Sequence, residues 1–246
     1  MRSCFPFGYA RRLVTLTSSQ MELVLRELVE RRIEPSAREW FARAFAAAGG
    51  EPDRGAVLEV FTSATRRLGR ARLAPTEGEI ARLAAAGVSW PVGTWGADEL
   101  GRAALLVAAA AHWPDTELEV LVDECYRQGD GAERQAILRS LPMLPAPERF
   151  LGIAVDACRS HIQPLFEAIA CENPYPACHF PELNFNQMVL KVLFTGVALE
   201  RVLAFENRVT PELGRMAADY ASERRAAGRS VPPDIDRLTG QRGDQP

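Results

Sequence analysis

Apolar residues recur with a helical period along almost the whole chain, and Gly or Pro stands wherever that period breaks. Ser19 to Arg32 sets Met21, Leu25, Leu28 and Val29 on one face with Arg and Glu between them, the 3.6-residue spacing of an amphipathic helix. Pro35 opens a second helix expected to bury Trp40, Phe41, Ala44 and Phe45, and Gly49-Gly50 ends it. A third runs from about Arg54 to Leu68 and stops at Gly69. Thr76 to Ala86 is a fourth, with Glu79 three residues after Thr76 in the spacing of a capping box.

Val88 to Gly96 is a loop rich in Trp, Pro and Gly. Helices are then predicted at about 97–112, 115–127, 131–141, 146–160 and 162–171, separated by Pro114, Gly129, Pro142, Pro145 and Pro164. Such short connections make neighbouring helices antiparallel. No alternating β-branched run argues for a strand. The expected class is therefore all-α: an array of antiparallel helical hairpins, HEAT-like or an irregular α-solenoid, with a compact α-bundle as second choice. A curved array would leave a concave face for binding. Residues 1–17 are expected to be a loosely ordered extension, 18–240 a single domain and 241–246 a flexible tail.

Composition narrows the function classes. A net charge of −3 gives no reason to expect nucleic acid or an acidic membrane surface as partner. No apolar run reaches the length of a membrane span, and residues 1–17 lack the apolar core of a signal peptide. The cysteines, Cys4, Cys125, Cys158, Cys171 and Cys178, are scattered without a CxxC, which fits a reducing cytoplasm. No Gly-x-Ser-x-Gly, P-loop or Gly-x-Gly-x-x-Gly motif is present, and no cofactor is expected. Cys171, Cys178, His179 and Glu182 are ligand types, yet their spacing matches no zinc pattern, so no metal is expected either.

One segment departs from the rest. All four asparagines and the only lysine fall between Asn173 and Asn207, in a chain whose other basic residues are Arg. Lys and Arg are not equivalent where a compact ammonium is needed, so Lys191 is a candidate for a specific task. The run Asn173-Pro-Tyr-Pro176 is expected to be rigid and extended, because Pro restricts both itself and the residue before it. Pro181 then opens a helix that Gly196 stops. Plotted at 100° per residue, its Asn184, Gln187, Lys191 and Thr195 form one narrow polar stripe, whereas Asn186 points away with Glu182. The remaining circumference is apolar, which predicts a buried helix. Its stripe either faces solvent or ties neighbouring backbone carbonyls, or it lines a polar pocket floored by the Asn-Pro-Tyr-Pro loop.

Asn173-Pro-Tyr-Pro176, Phe185-Asn-Gln-Met-Val-Leu-Lys-Val-Leu-Phe194, Pro211-Glu-Leu and Asp219-Tyr-Ala-Ser-Glu-Arg-Arg-Ala-Ala-Gly-Arg229 together resemble the EboA family. Asn173, Tyr175, Asn186, Gln187, Lys191, Asp219, Tyr220, Glu223, Arg224 and Arg229 match the family's motif. Ser222 stands in place of its usual His, and Arg225 and Arg237 in place of Trp, so no role resting on that His transfers. The resemblance implies a bacterial gene cluster that makes or exports a specialised metabolite, beside prenyltransferase, TIM-barrel and sugar-phosphate-type enzymes. It implies no particular reaction.

The expected function is thus a helical accessory protein that binds a metabolite or a partner enzyme of the same cluster. Asn173, Tyr175, Asn184, Asn186, Gln187, Lys191, Asp219, Tyr220, Glu223 and Arg224 are its candidate ligand-binding residues. One alternative is an enzyme acting on an anionic metabolite, with Lys191 and Arg224 holding the anion and Tyr220 or Glu223 moving a proton. The other is a scaffold with no ligand, in which Lys191 pairs with Asp219 or a Glu.

Overall fold

The computed structural model describes residues 18–239, so the extension expected over 1–17 and the tail expected over 241–246 lie outside the described residues. The chain is all-α. Among the described residues there is no strand, only a single antiparallel bridge between Arg72 and Gly96. Two compact units are present, one within Arg12–Ile169 and one within Ala170–Pro246.

The first unit holds α1 (Ser18–Glu30), α2 (Pro35–Ala48), α3 (Arg54–Leu68), α4 (Glu77–Ala85), α5 (Ala97–His112), α6 (Asp115–Gln128), α7 (Gly131–Ser140), α8 (Leu151–Arg159) and most of α9 (Gln163–Ala170). Local signals set most of these bounds. The Thr76–Glu79 capping box forms in full, closing two otherwise unpaired donors at the start of α4. Asp53 caps α3, with its side chain accepting from the Ala56 N–H at 3.0 Å.

Tertiary order comes from α5. It packs against α1, α2, α3, α6 and α7, so helices distant in sequence meet on one central element. Its sequence explains this. Ala103, Ala104, Ala108 and Ala109 are buried small residues that let neighbours approach, while Leu100, Leu105, Leu106 and Val107 fill the gaps between them. Gly101 marks the tightest contact: a Cβ there would stand 2.2 Å from Leu68 Cδ1 of α3. Trp113, just past α5, donates its indole N–H to the Gly50 carbonyl at 3.1 Å and anchors the end of α2.

Inside this apolar packing lies a charge cluster. The Arg102 side chain is 1% exposed, with Nη1 3.4 Å from Asp98 and Nη2 3.7 Å from Glu133. Its Nε donates to the Phe61 carbonyl at 3.0 Å, and the guanidinium lies 5.4 Å from the Phe61 ring centroid. Thr65 Oγ1 donates to Asp98 at 2.6 Å. Glu133 also closes the capping box at the start of α7, where it accepts the Asp130 N–H at 2.7 Å. One guanidinium therefore ties α3, α5 and α7 together.

A second acidic group has a similar role nearer the surface of the unit. Glu79 accepts from Arg32 Nη1 at 3.1 Å and from the Thr76 N–H at 2.9 Å. The Arg32 hydrogen bond first, and the Thr76 amide second, lower its pKa from 4.5 to about 2.

The second unit holds α10 (Tyr175–His179), α11 (Glu182–Thr195), α12 (Pro211–Ala226) and α13 (Asp236–Thr239). Short 3₁₀ turns at Leu199–Arg201, Phe205–Arg208 and Pro233–Ile235 link them. Among the described residues of the chain, no helix is long and apolar enough to cross a membrane.

Two outcomes check this account. Arg102→Ala strands two buried carboxylates, and is expected to cost about 3–5 kcal/mol in urea unfolding. A loss below about 1 kcal/mol would show that the cluster is solvated. Glu79 has a depressed folded pKa, so its stabilisation is complete above about 4.5 and disappears as the pH falls through about 2. Glu79→Gln is expected to remove that part of the acid dependence of stability, read as a flatter profile of unfolding midpoint against pH.

Candidate functional site

The segment singled out by its asparagines and lysine carries α10 and α11 of the second unit, and Arg side chains hold it together. Glu172 adopts φ +48°, and this turn is fixed on both sides of the residue. Its N–H donates to the Arg201 carbonyl at 2.8 Å, and its carboxylate receives Arg201 Nε and Nη2 at 2.8 and 3.0 Å. This bidentate pair closes the loop between α11 and α12 onto the start of the segment.

The extended course expected for Asn173-Pro-Tyr-Pro176 is corrected by the structure. Pro174 has helical dihedrals and precedes α10, which begins at Tyr175 and contains Pro176. A first helical turn has no intrahelical acceptor for its N–H groups, so the missing proline donors cost nothing there. Asn173 supplies the remaining need: its Oδ1 accepts the Tyr175 N–H at 2.9 Å. Asn173 and Tyr175 are both buried, and the Tyr175 ring lies 4.8 Å from that of His179 and edge-on to Phe180 at 6.1 Å.

Arg208 clamps α10 to α11. Its two terminal nitrogens donate to the Ala177 and Phe180 carbonyls at 2.6 and 2.7 Å, and its guanidinium sits 4.6 Å from the Phe185 ring centroid. Sequence reasoning passed over this residue, because one Arg among many carries no mark of its partners. Thr210 caps α12 through the Leu213 N–H at 3.2 Å and donates to Glu182 at 2.8 Å, which sets the starts of α11 and α12 side by side.

The burial expected for α11 is also corrected. Phe185, Met188, Val189, Val192 and Leu193 do enter the core. Leu183 and Phe194, however, are 61% and 68% exposed. These two residues lie on one face with exposed Gln187 and half-buried Leu190, and half-buried Asn184 and Lys191 border it. The polar stripe is therefore the edge of an open face that is partly apolar. The helix packs on α12 and the 199–201 turn, and Phe185, Met188, Val189, Val192 and Leu193 form its buried side.

Asn186 takes the other course. It is 1% exposed, and its Oδ1 has no hydrogen-bond partner among the described residues. The Tyr220 hydroxyl of α12 is likewise buried without one. Asp219 is exposed and pairs with Arg215 at 2.7 Å. Glu223 is exposed as well. Arg224 donates Nε to the Ser230 carbonyl at 2.6 Å and lies 5.9 Å from the Tyr220 ring centroid, so it closes the end of α12. The structure thus divides the candidates: Asn173, Tyr175 and Asn186 are interior, Asn184, Gln187 and Lys191 edge the open face, and Asp219 and Glu223 lie on the outside of α12.

A family model described as "Metabolite traffic protein EboA" matches residues 21–240. The chain belongs to the EboA family. The match runs from Met21 onward and takes in the segment of about 165–229, to which the sequence resemblance was specific. No curated protein and no solved structure matches the chain. Where the EboA motif leads one to expect Trp, Arg237 lies 4.5 Å from the Phe205 ring centroid and 3.1 Å from Glu206. It covers the aromatic ring as a flat apolar residue would, and adds a charge pair. Ser222 and Arg225 are exposed, so their replacement of His and Trp leaves the core of the unit untouched. Among the described residues no group of three or more His, Cys, Asp or Glu is arranged to hold a metal ion.

A buried carbonyl oxygen without a partner costs about 1–3 kcal/mol. Asn186→Leu, which keeps the volume and removes that oxygen, is therefore expected to leave the denaturation midpoint unchanged or raised. A loss of more than about 1 kcal/mol would show that the amide is paired in solution.

Proposed function

We propose that this protein is a helical accessory factor of metabolite traffic, acting in the cytoplasm on a specialised metabolite. It holds a small molecule, or the partner enzyme that delivers it, through the open face of α11 in the 173–229 segment. The observation that carries this reading is the composition of that face. Leu183 and Phe194 are exposed on the same side as Gln187, with Asn184 and Lys191 along the border. Large apolar side chains grouped on an open surface and rimmed by polar groups mark an interaction site. A purely structural joint would have turned them inward.

Arg208 fixes the start of α11 through the Phe180 carbonyl and the Phe185 ring, and Asn173, Tyr175 and the Glu172–Arg201 pair fix the chain just before it. Asn184, Gln187 and Lys191 supply directional hydrogen bonds, and Phe194 supplies the apolar contact. The unpartnered Asn186 oxygen and Tyr220 hydroxyl are polar groups that a bound molecule, or a shift of α11 on binding, would satisfy. Asp219, Glu223 and Arg224 support α12 in this reading and do not touch the ligand.

The test is native mass spectrometry of the purified chain with the metabolites and cluster enzymes of a producing strain. The wild-type chain is expected to retain a small molecule or one enzyme. Phe194→Asp is expected to lose it with the thermal midpoint unchanged, because the residue is exposed. Retention by both Phe194→Asp and Gln187→Ala would move the site away from α11.

A further inference from the structure

The first unit carries a separate cleft that the α11 reading does not use. It measures about 820 Å³ and runs between α6 and α8, with the Pro147–Phe150 turn at one end. That volume is within the range of small-molecule sites. Val120, Phe150 and Ile153 provide an apolar floor. Gly152 leaves a gap in the α8 wall, where an added Cβ would meet nothing within 4 Å.

Charge decides what the cleft can take. Its lining contains the carboxylates of Glu119, Asp123 and Asp156 and the guanidinium groups of Arg127 and Arg149. Both arginines are already engaged. Arg127 pairs with Asp123 at 2.6 Å, and Arg149 pairs with Asp115 at 3.0 Å and with Glu119 at 3.9 Å. Asp156 forms no ion pair among the described residues, so the cleft keeps an excess of negative charge.

Tyr126 gives the second, independent sign. It is 8% exposed and lines the cleft, yet no other described residue hydrogen-bonds its hydroxyl. Its other side is covered by Arg134, whose guanidinium is 5.7 Å from the ring centroid. Burial first, and the nearby Asp156 second, raise its pKa, so the hydroxyl stays neutral and its oxygen remains an acceptor.

We infer that the α6–α8 cleft binds an organic cation with an apolar body, a protonated amine held between Asp156 and the Tyr126 hydroxyl. The ammonium would donate to the carboxylate and the phenolic oxygen, and the apolar part would lie on Phe150 and Ile153. A metal ion fits less well, because among the described residues no three ligand-type side chains are grouped to hold one. An anion would meet arginines that are already paired.

Isothermal titration calorimetry of the full chain with benzylamine, and with benzoate as the anionic match, tests this. Benzylamine is expected to bind and benzoate is not. Asp156→Asn is expected to weaken the amine about tenfold, and Gly152→Leu, which fills the cleft without altering a charge, to abolish binding. Circular dichroism confirms that both variants are folded. Failure of benzylamine to bind, equal binding of benzoate, or unchanged affinity in both variants would overturn the assignment. None of these outcomes bears on the α11 face, whose variants are separate.

Discussion

The buried Arg102 guanidinium is the interaction on which the larger unit depends. An arginine enclosed by alanine and leucine is costly unless its charge and its donors are met. Here Asp98, Glu133 and the Phe61 carbonyl meet them from α5, α7 and α3. Asp98 is one turn before Arg102 on the same helix, so half of the cluster is fixed by helix geometry alone. Phe61 and Glu133 must be brought from elsewhere, by the packing of α3 and α7 on α5. The apolar packing of α5 supplies adhesion, and the charge cluster supplies register.

The smaller unit uses arginine in a different way. Arg201 and Arg208 are half-buried forks, the first closing on a carboxylate and the second on two backbone carbonyls. They hold α10 and α11 in place alongside the packing of α11 on α12. This explains how a chain that has exchanged nearly every lysine for arginine remains ordered through a proline-rich segment, since a planar fork can satisfy two acceptors where an ammonium presents a point charge. The same fixation leaves one side of α11 uncovered. Held by these contacts, the helix can present Leu183, Gln187 and Phe194 outward without disturbing the core. The chain belongs to the EboA family, and this outward face is the surface that the proposed function uses.

The helical class, most helix limits and, through the signature segment 165–229, the EboA family were legible in the sequence. They rest on local physics: a Pro or Gly breaks a helix within a residue or two, a capping box closes within four residues, and a helical period is a property of one segment. Arg54–Leu68, Glu182–Thr195 and the Thr76–Glu79 box are cases where such signals sufficed. The Asn-Pro-Tyr-Pro run was misjudged because proline was read as a bar to helix, when a first turn, with Asn173 accepting the Tyr175 amide, accommodates it. Arg102 carried no sequence signal at all, since an arginine in a helix ordinarily faces water.

The sequence by itself determined that the chain is helical, where most of its helices start and stop, and which short stretch is chemically unlike the rest. Only the tertiary structure decided which side of each helix is covered. It turned Asn186 inward and Phe194 outward on α11, enclosed Arg102 in the core, and opened a cleft beside Asp156. The physical reason is range. Helix formation is settled by residues three or four apart, whereas burial is settled by partners such as Phe61 with Arg102 or Ala177 with Arg208, which meet only after the helices have packed.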